Sequence, residues 1–126
     1  MSKKTVIFGA STNPSRYAYL AANKLISYHH DIVPVGIKKG AVAGATILDL
    51  KEKPSIEEVD TITMYMSAKN QAEWEDYILS LNPKRIIFNP GAENDSLEEK
   101  AANKNIETLH ACTLVMLSYL TALYRF

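Results

Sequence analysis

Short apolar runs alternate along this chain with longer stretches of helical periodicity. Apolar runs at residues 4–8, 32–35, 61–65, 85–89 and 106–109 predict five strands. Between them, apolar spacings of three and four predict a helix over 15–28, with Tyr19, Leu20, Ala22, Leu25 and Ile26 on a broad apolar face. The same spacing predicts a helix over 69–81 with Trp74, Ile78 and Leu81 inward, and one over 95–103 capped by Asn94 or Asp95. A last helix begins at Thr113, and residues 46–48 read as a short extended piece within a connector. Pro34 has no N–H, which predicts that the ladder of the second strand ends there.

No repeat, low-complexity tract or linker interrupts this order, so residues 1–126 read as one domain. Strict alternation of strands and helices implies right-handed crossovers and a parallel sheet covered on both faces. The expected architecture is therefore α/β: a doubly wound parallel five-stranded sheet, in the order 3-2-1-4-5, with helices on both faces. Ligands of such sheets sit beyond the carboxyl ends of the strands, at the switch in strand order. That rule selects residues 9–17, 36–39, 65–67, 89–93 and 110–113.

The first of these loops carries the strongest signal. A strand ending in Phe8 feeds Gly9-Ala10-Ser11-Thr12-Asn13-Pro14-Ser15-Arg16-Tyr17 and then a helix. Backbone N–H groups and the helix dipole favour an anion at such a junction, and Arg16 adds a planar, bidentate cation. The plainer alternative makes Ser11 or Asn13 a helix cap and Arg16 a solvated charge. The loop also departs from the dinucleotide fingerprint G-x-G-x-x-G, since Ser11 replaces the second glycine and Pro14 the third. After the second strand, sheets specific for NAD place an acid that accepts the ribose hydroxyls. This chain has Gly36-Ile37-Lys38-Lys39 instead. The two lysines suit a ribose phosphate, or are ordinary loop charges.

Pro90-Gly91 after the fourth strand is a turn whose backbone could approach a pyrophosphate or an acyl-chain amide. Tyr65 packs on a base or pantetheine, or is a boundary tyrosine. Cys112, two residues after His110, is either a thiol activated at a helix start or a packing residue. His110, Cys112 and Glu93 do not amount to a nucleophile with an oriented base, and neither metal-ligand spacing nor the P-loop pattern occurs.

Charge changes the picture by exclusion. Fourteen Lys and Arg balance fourteen Asp and Glu, which gives no footprint for nucleic acid or an anionic membrane. A single cysteine excludes an intrachain disulfide and a multi-cysteine metal site. The chain has no signal-like apolar start, and its apolar C-terminal stretch is too short and interrupted to span a bilayer, so a cytoplasmic protein is expected.

With these residues in hand, the chain resembles the small stand-alone CoA-binding domain family, related to the CoA-binding domain of succinyl-CoA synthetase alpha subunits. The likeness runs from Lys4 to Leu117. It is carried by Gly9 to Tyr17, Val33-Pro34-Val35, Gly44 with the following Leu48, Asn89-Pro90-Gly91, and Ala111-Cys112-Thr113-Leu114-Val115-Met116. The resemblance implies a Rossmann-like fold holding coenzyme A. Gly9, Ala10, Ser11, Pro14, Arg16 and Tyr17 would line the pyrophosphate, and Lys38 or Lys39 would meet the ribose phosphate. Gly36 would lie at the adenosine end, with Tyr65, Pro90 and Gly91 along the pantetheine side and Cys112 open to a mixed disulfide with the CoA thiol.

Many relatives read P-V-N-P where this chain has Pro34-Val35-Gly36-Ile37, and its apolar tail, 118–126, also differs. A helix apolar on nearly every side implies burial in a homodimer. The synthetase's phosphorylated histidine has no counterpart, so the resemblance implies a non-catalytic CoA or acyl-CoA binding protein acting as carrier, sensor or regulator. An NADP-linked oxidoreductase and an interaction module with a vestigial nucleotide pocket remain the alternatives.

Overall fold

The computed structural model describes residues 4–119 and residue 126. Its elements in chain order are β1 (Lys4–Phe8), α1 (Tyr17–Ser27), β2 (Asp31–Gly36), β3 (Ala41–Val42), β4 (Ala45–Thr46) and β5 (Leu48–Asp49). A 3-10 turn, Leu50–Glu52, leads to β6 (Val59–Met64), α2 (Ala68–Gln71) and α3 (Glu75–Ser80). Then come β7 (Arg85–Phe88), α4 (Asp95–Ala102), β8 (Glu107–His110) and α5 (Thr113–Ser118).

Six parallel strands form the main sheet in the order β5-β2-β1-β6-β7-β8, and β3 with β4 make a separate antiparallel hairpin. Helices cover both faces. On one, Ile78, Leu79, Leu97 and Ala101 pack on Val6, Phe8, Ile62 and Phe88. On the other, Ala18, Ala22 and Leu25 of α1 pack with Leu117 of α5 on Ile7, joined by Val42 and Ile47 from the hairpin region. The doubly wound expectation holds, with a sixth strand.

The expected strand order does not. The order 3-2-1-4-5 puts the run at 61–65 outside the second strand, but β6 pairs with β1 at the centre, and β5 from the connector takes the outer position. Burial explains the exchange. From Thr61 to Met64, β6 is buried without a break, as suits a central parallel strand, while β5 is only half-buried. Threonine is tolerated there because its hydroxyls find partners. Thr61 Oγ1 accepts from Arg85 Nε (2.8 Å), and Thr63 Oγ1 meets Asn89 Nδ2 (2.7 Å) and Thr113 Oγ1 (2.7 Å).

Other expectations shift locally. The ladder does not end at Pro34, since Ile7 pairs with Pro34 and Phe8 with Val35. The Val35 carbonyl faces β1, so the proline nitrogen faces outward, where β5 begins pairing only at Val35. Leu20 and Ile26 lie on the exposed side of α1, because Ala18, Ala21, Ala22 and Leu25 fill its buried stripe. The helix expected over 69–81 is broken by a 3-10 turn at Ala72–Trp74. The last helix ends at Ser118 among the described residues, and its expected continuation through 120–125 lies outside them.

Candidate functional site

Above the carboxyl ends of the strands lies a cleft of about 740 Å³, within the usual range for a small-molecule site. It sits at the switch in strand order, where the loops after β1 and β6 diverge. The structure brings Gly9, Ala10, Ser11, Arg16, Tyr17, Gly36, Lys38, Tyr65 and Pro90 together on its walls. Pro14, Lys39, Gly91 and Cys112 do not line it.

Two glycines let the loops close on one another. Gly9 has a φ of +90°, and a Cβ there would meet the backbone of Tyr65 and Met66 at 3.2 Å. A Cβ on Gly36 would lie 2.8 Å from the Ala10 carbonyl oxygen. Both N–H groups of Gly9 and Ala10 donate to the Val35 carbonyl at 3.0 Å, so they serve the fold. The N–H groups of Ser11 and Thr12 have no partner among the described residues and are the loop's open donors.

The capping alternative for this loop is settled by geometry. Ser11 Oγ accepts from Asn13 N (3.0 Å), and Asn13 Oδ1 accepts from Ser15 N (3.0 Å) and Ser15 Oγ (2.8 Å). Both side chains therefore shape the loop. The N-cap of α1 is Arg16, which provides no side-chain cap, so the helix start keeps unsatisfied donors beside the cleft. This is the arrangement of an anion cradle.

The opposite wall is held by buried polar side chains. Gln71 is fully buried, and its Nε2 donates to the carbonyls of Met66 (2.7 Å) and Ala92 (2.8 Å), tying the loop after β6 to that after β7. Its Oε1 accepts from Asn94 Nδ2 (2.8 Å), which also donates to Glu75 Oε2 (3.0 Å). Ser96 Oγ and Lys100 Nζ each reach Glu75 Oε1 at 3.0 Å. Burial alone would raise the Glu75 carboxyl, but the hydrogen bonds of Asn94, Lys100 and Ser96 outweigh it and hold the group below its ordinary value.

Residues 89–92 form a turn with Pro90 and Gly91 at its centre, closed by Ala92 N donating to the Asn89 carbonyl (2.8 Å), with a Gly91 φ of +93°. Asn89 itself is buried. Its Nδ2 donates to Thr63 Oγ1 and to the Met64 carbonyl (3.0 Å), and its Oδ1 accepts from Thr113 N (2.8 Å).

Tyr65 reaches inward toward that cluster. Its hydroxyl lies beside Thr63 and Thr113, but neither meets it with hydrogen-bond geometry. Burial pushes the phenol up to about 12, partly offset by the two threonines and reinforced by the neighbouring Cys112 thiol. Cys112 is half-buried at the start of α5. His110 pairs with Glu98 (2.6 Å), and Glu93 accepts from Gly91 N (2.9 Å), so neither is turned toward Cys112 as a base. No group of three or more metal-ligating side chains occurs among the described residues, and none of their helices is long and apolar enough to cross a membrane.

Several wall residues were not singled out by sequence reasoning. Asn70, Glu73 and Trp74 come from α2 and the 3-10 turn after it, and Lys51 comes from the turn after β5. The signal for Lys51 was present in the short extended piece at 46–48. Had that been read as a strand, the residues following it would have joined the ligand end of the sheet.

A profile of the family described as CoA binding domain matches residues 3–118 of this chain. Among solved structures, an uncharacterized protein is 54% identical, covering 94% of this chain and 96% of its own, with a TM-score of 0.89. A hypothetical protein from Pyrococcus horikoshii OT3 is 22% identical over 88% of this chain and 77% of its own, with a TM-score of 0.75. A conserved hypothetical protein from Pyrococcus furiosus is 21% identical over 90% of this chain and 97% of its own, with a TM-score of 0.77. At the last two identities the likeness is one of fold alone. No curated protein matches the chain.

Proposed function

The chain belongs to the CoA binding domain family, and from that premise we propose that its cleft holds coenzyme A or an acyl-CoA. In this reading the protein is a cytoplasmic, non-catalytic carrier, sensor or regulator of CoA metabolism. The pyrophosphate lies on the open N–H groups of Ser11 and Thr12, at the uncapped start of α1, with Arg16 as its cation. Lys38 reaches toward the ribose phosphate, and the pantetheine arm runs past Tyr65 and Pro90. The observation that carries the reading is the pairing of this uncapped helix start with cationic walls in one cleft at the strand-order switch.

Calorimetric titration with CoA, dephospho-CoA, NADPH and NADH tests it. CoA binding in preference to both nicotinamide nucleotides is expected. NADPH binding without a response to CoA would replace this reading by the dehydrogenase one, and silence from all four would favour an interaction module.

We further propose a homodimer through α1 and the C-terminal segment. Leu20, Val115 and Tyr119 are 43%, 43% and 54% exposed and border a shallow groove between α1 and α5, which supports burial of this face. Light scattering that finds a monomer at high protein concentration would sink the dimer and leave CoA binding untouched.

A further inference from the structure

Above the sheet, the loops after β6 and β7 are joined by a side chain rather than by backbone. The register between these strands ends with Met64 opposite Phe88, and Asn89 N adds one more bond to the Met64 carbonyl (3.3 Å). Past that point the Gln71 amide bridges the two loops, with Nε2 donating to the carbonyls of Met66 (2.7 Å) and Ala92 (2.8 Å). The segment that carries Gln71 is a wall of the cleft, lined by Met66, Ser67, Asn70, Glu73 and Trp74. Gln71 itself is fully buried and does not line the cleft. On the other loop, Pro90 lines the cleft from within the turn that Ala92 closes.

The chemistry of this bridge calls for glutamine. Carbonyl oxygens only accept, so the atom facing both must be the amide nitrogen, with one hydrogen for each. That leaves Oε1 to accept from Asn94 Nδ2 (2.8 Å), and Asn94 Oδ1 to accept from Leu97 N (3.2 Å) at the start of α4. An ionised glutamate would have no donor for the carbonyls, lysine no acceptor for Asn94, and asparagine would stop one methylene short. Behind the bridge, Asn94 also donates to Glu75, which pairs with Lys100 at 3.0 Å. A buried network satisfied at each of these members is rigid.

We infer that Gln71 is a positioning residue, which sets the separation of the loops after β6 and β7 before any ligand arrives. It touches no ligand and acts through Met66 and the turn holding Pro90. The inference rests on the proposal that the cleft takes CoA, whose pantetheine arm runs past Tyr65 and Pro90. A wall ordered beforehand raises affinity for that arm, because binding then costs no further loop ordering.

The test is calorimetry and amide hydrogen exchange on the full chain, with CoA and with adenosine 3′,5′-bisphosphate, which lacks the pantetheine arm. The proteins are the wild type, Gln71→Met, which leaves both carbonyls unpartnered, and Ile78→Ala, a core truncation in α3 away from the cleft. In Gln71→Met, CoA is expected to weaken about tenfold and the bisphosphate less than about twofold. Ile78→Ala is expected to leave both ligands within about twofold. If Gln71→Met does not fold, Gln71→Asn takes its place with the same expectation. In the ligand-free wild type, the Gln71 and Ala92 amide protons, bonded to the Ser67 and Asn89 carbonyls (3.0 and 2.8 Å), should already be protected.

Equal weakening of both ligands by the Gln71 variant, an unchanged CoA affinity, or the same split in Ile78→Ala would overturn the inference. So would Gln71 and Ala92 amides that exchange freely in the wild type until CoA is added. A wild type that ignores CoA overturns the proposed function, and exchange alone then decides the inference. It stands if both amides are protected in the wild type and lose more protection in the Gln71 variant than the β1 amides do, and it falls otherwise.

Discussion

Gly9→Ala probes the contact that shapes the cleft floor. At a φ of +90°, any residue with a Cβ is strained, at a cost of about 1–3 kcal/mol. The new methyl also meets Met66 Cγ at 3.1 Å and the Met66 N and Tyr65 C atoms at 3.2 Å. The methionine side chain can turn away, but the backbone of the loop after β6 cannot, and such overpacking costs about 1–3 kcal/mol more. We expect a loss of about 3 kcal/mol, which in a domain of this size lowers Tm by about 12 °C.

Gly44→Ala supplies the comparison, because Gly44 has a φ of +80° with nothing within 4 Å of its added Cβ. It carries only the backbone strain, about 1–2 kcal/mol. Urea titrations of both variants therefore isolate the packing contribution as their difference. CoA affinity should fall in Gly9→Ala alone, since shifting that loop moves the open Ser11 and Thr12 donors. Equal stability losses in the two variants would refute the argument that the loops after β1 and β6 are held together by close backbone approach.

Glu75→Gln tests the buried network behind the cleft. The folded protein holds this carboxyl below its ordinary 4.5, so the unfolded chain takes up the proton first as pH falls. The network's stabilisation is full above that ordinary value and is lost as pH drops through the lowered one. The variant should show a shallower loss of stability than the wild type as pH falls below the ordinary value of 4.5; an unchanged slope in urea titrations would remove Glu75 from acid sensitivity. In the hairpin, Ala43 (φ +51°) and Gly44 form a two-residue loop with both residues left-handed, the geometry that favours Asn-Gly. Ala43→Asn should raise the urea midpoint by about 0.5–1 kcal/mol of stability. A lower midpoint would argue against the loop conformation.

The amino-acid pattern alone determined the elements and the location of the anion loop. Strands buried on both faces carry apolar stretches, as residues 6–8 and 86–88 do, and a glycine between such a strand and a helix start marks a turn that other residues enter at a cost. These are properties of each residue's own backbone and burial, so they are written locally.

Neighbour relations are not. The position of β6 beside β1, the Val35 carbonyl that takes up the Gly9 and Ala10 donors, and the pairing of β5 with β2 that brings Lys51 to the cleft all depend on hydrogen bonds between segments far apart in the chain. Thr61 and Thr63 can be buried because Arg85, Asn89 and Thr113, from other segments, satisfy their hydroxyls in the interior. Leu20 and Ile26 read as core until the alanines of α1 fill the space against the sheet. Local pattern records how much a residue wants to leave water; only the assembled sheet decides which partners let it do so, and therefore which loops meet around the cleft.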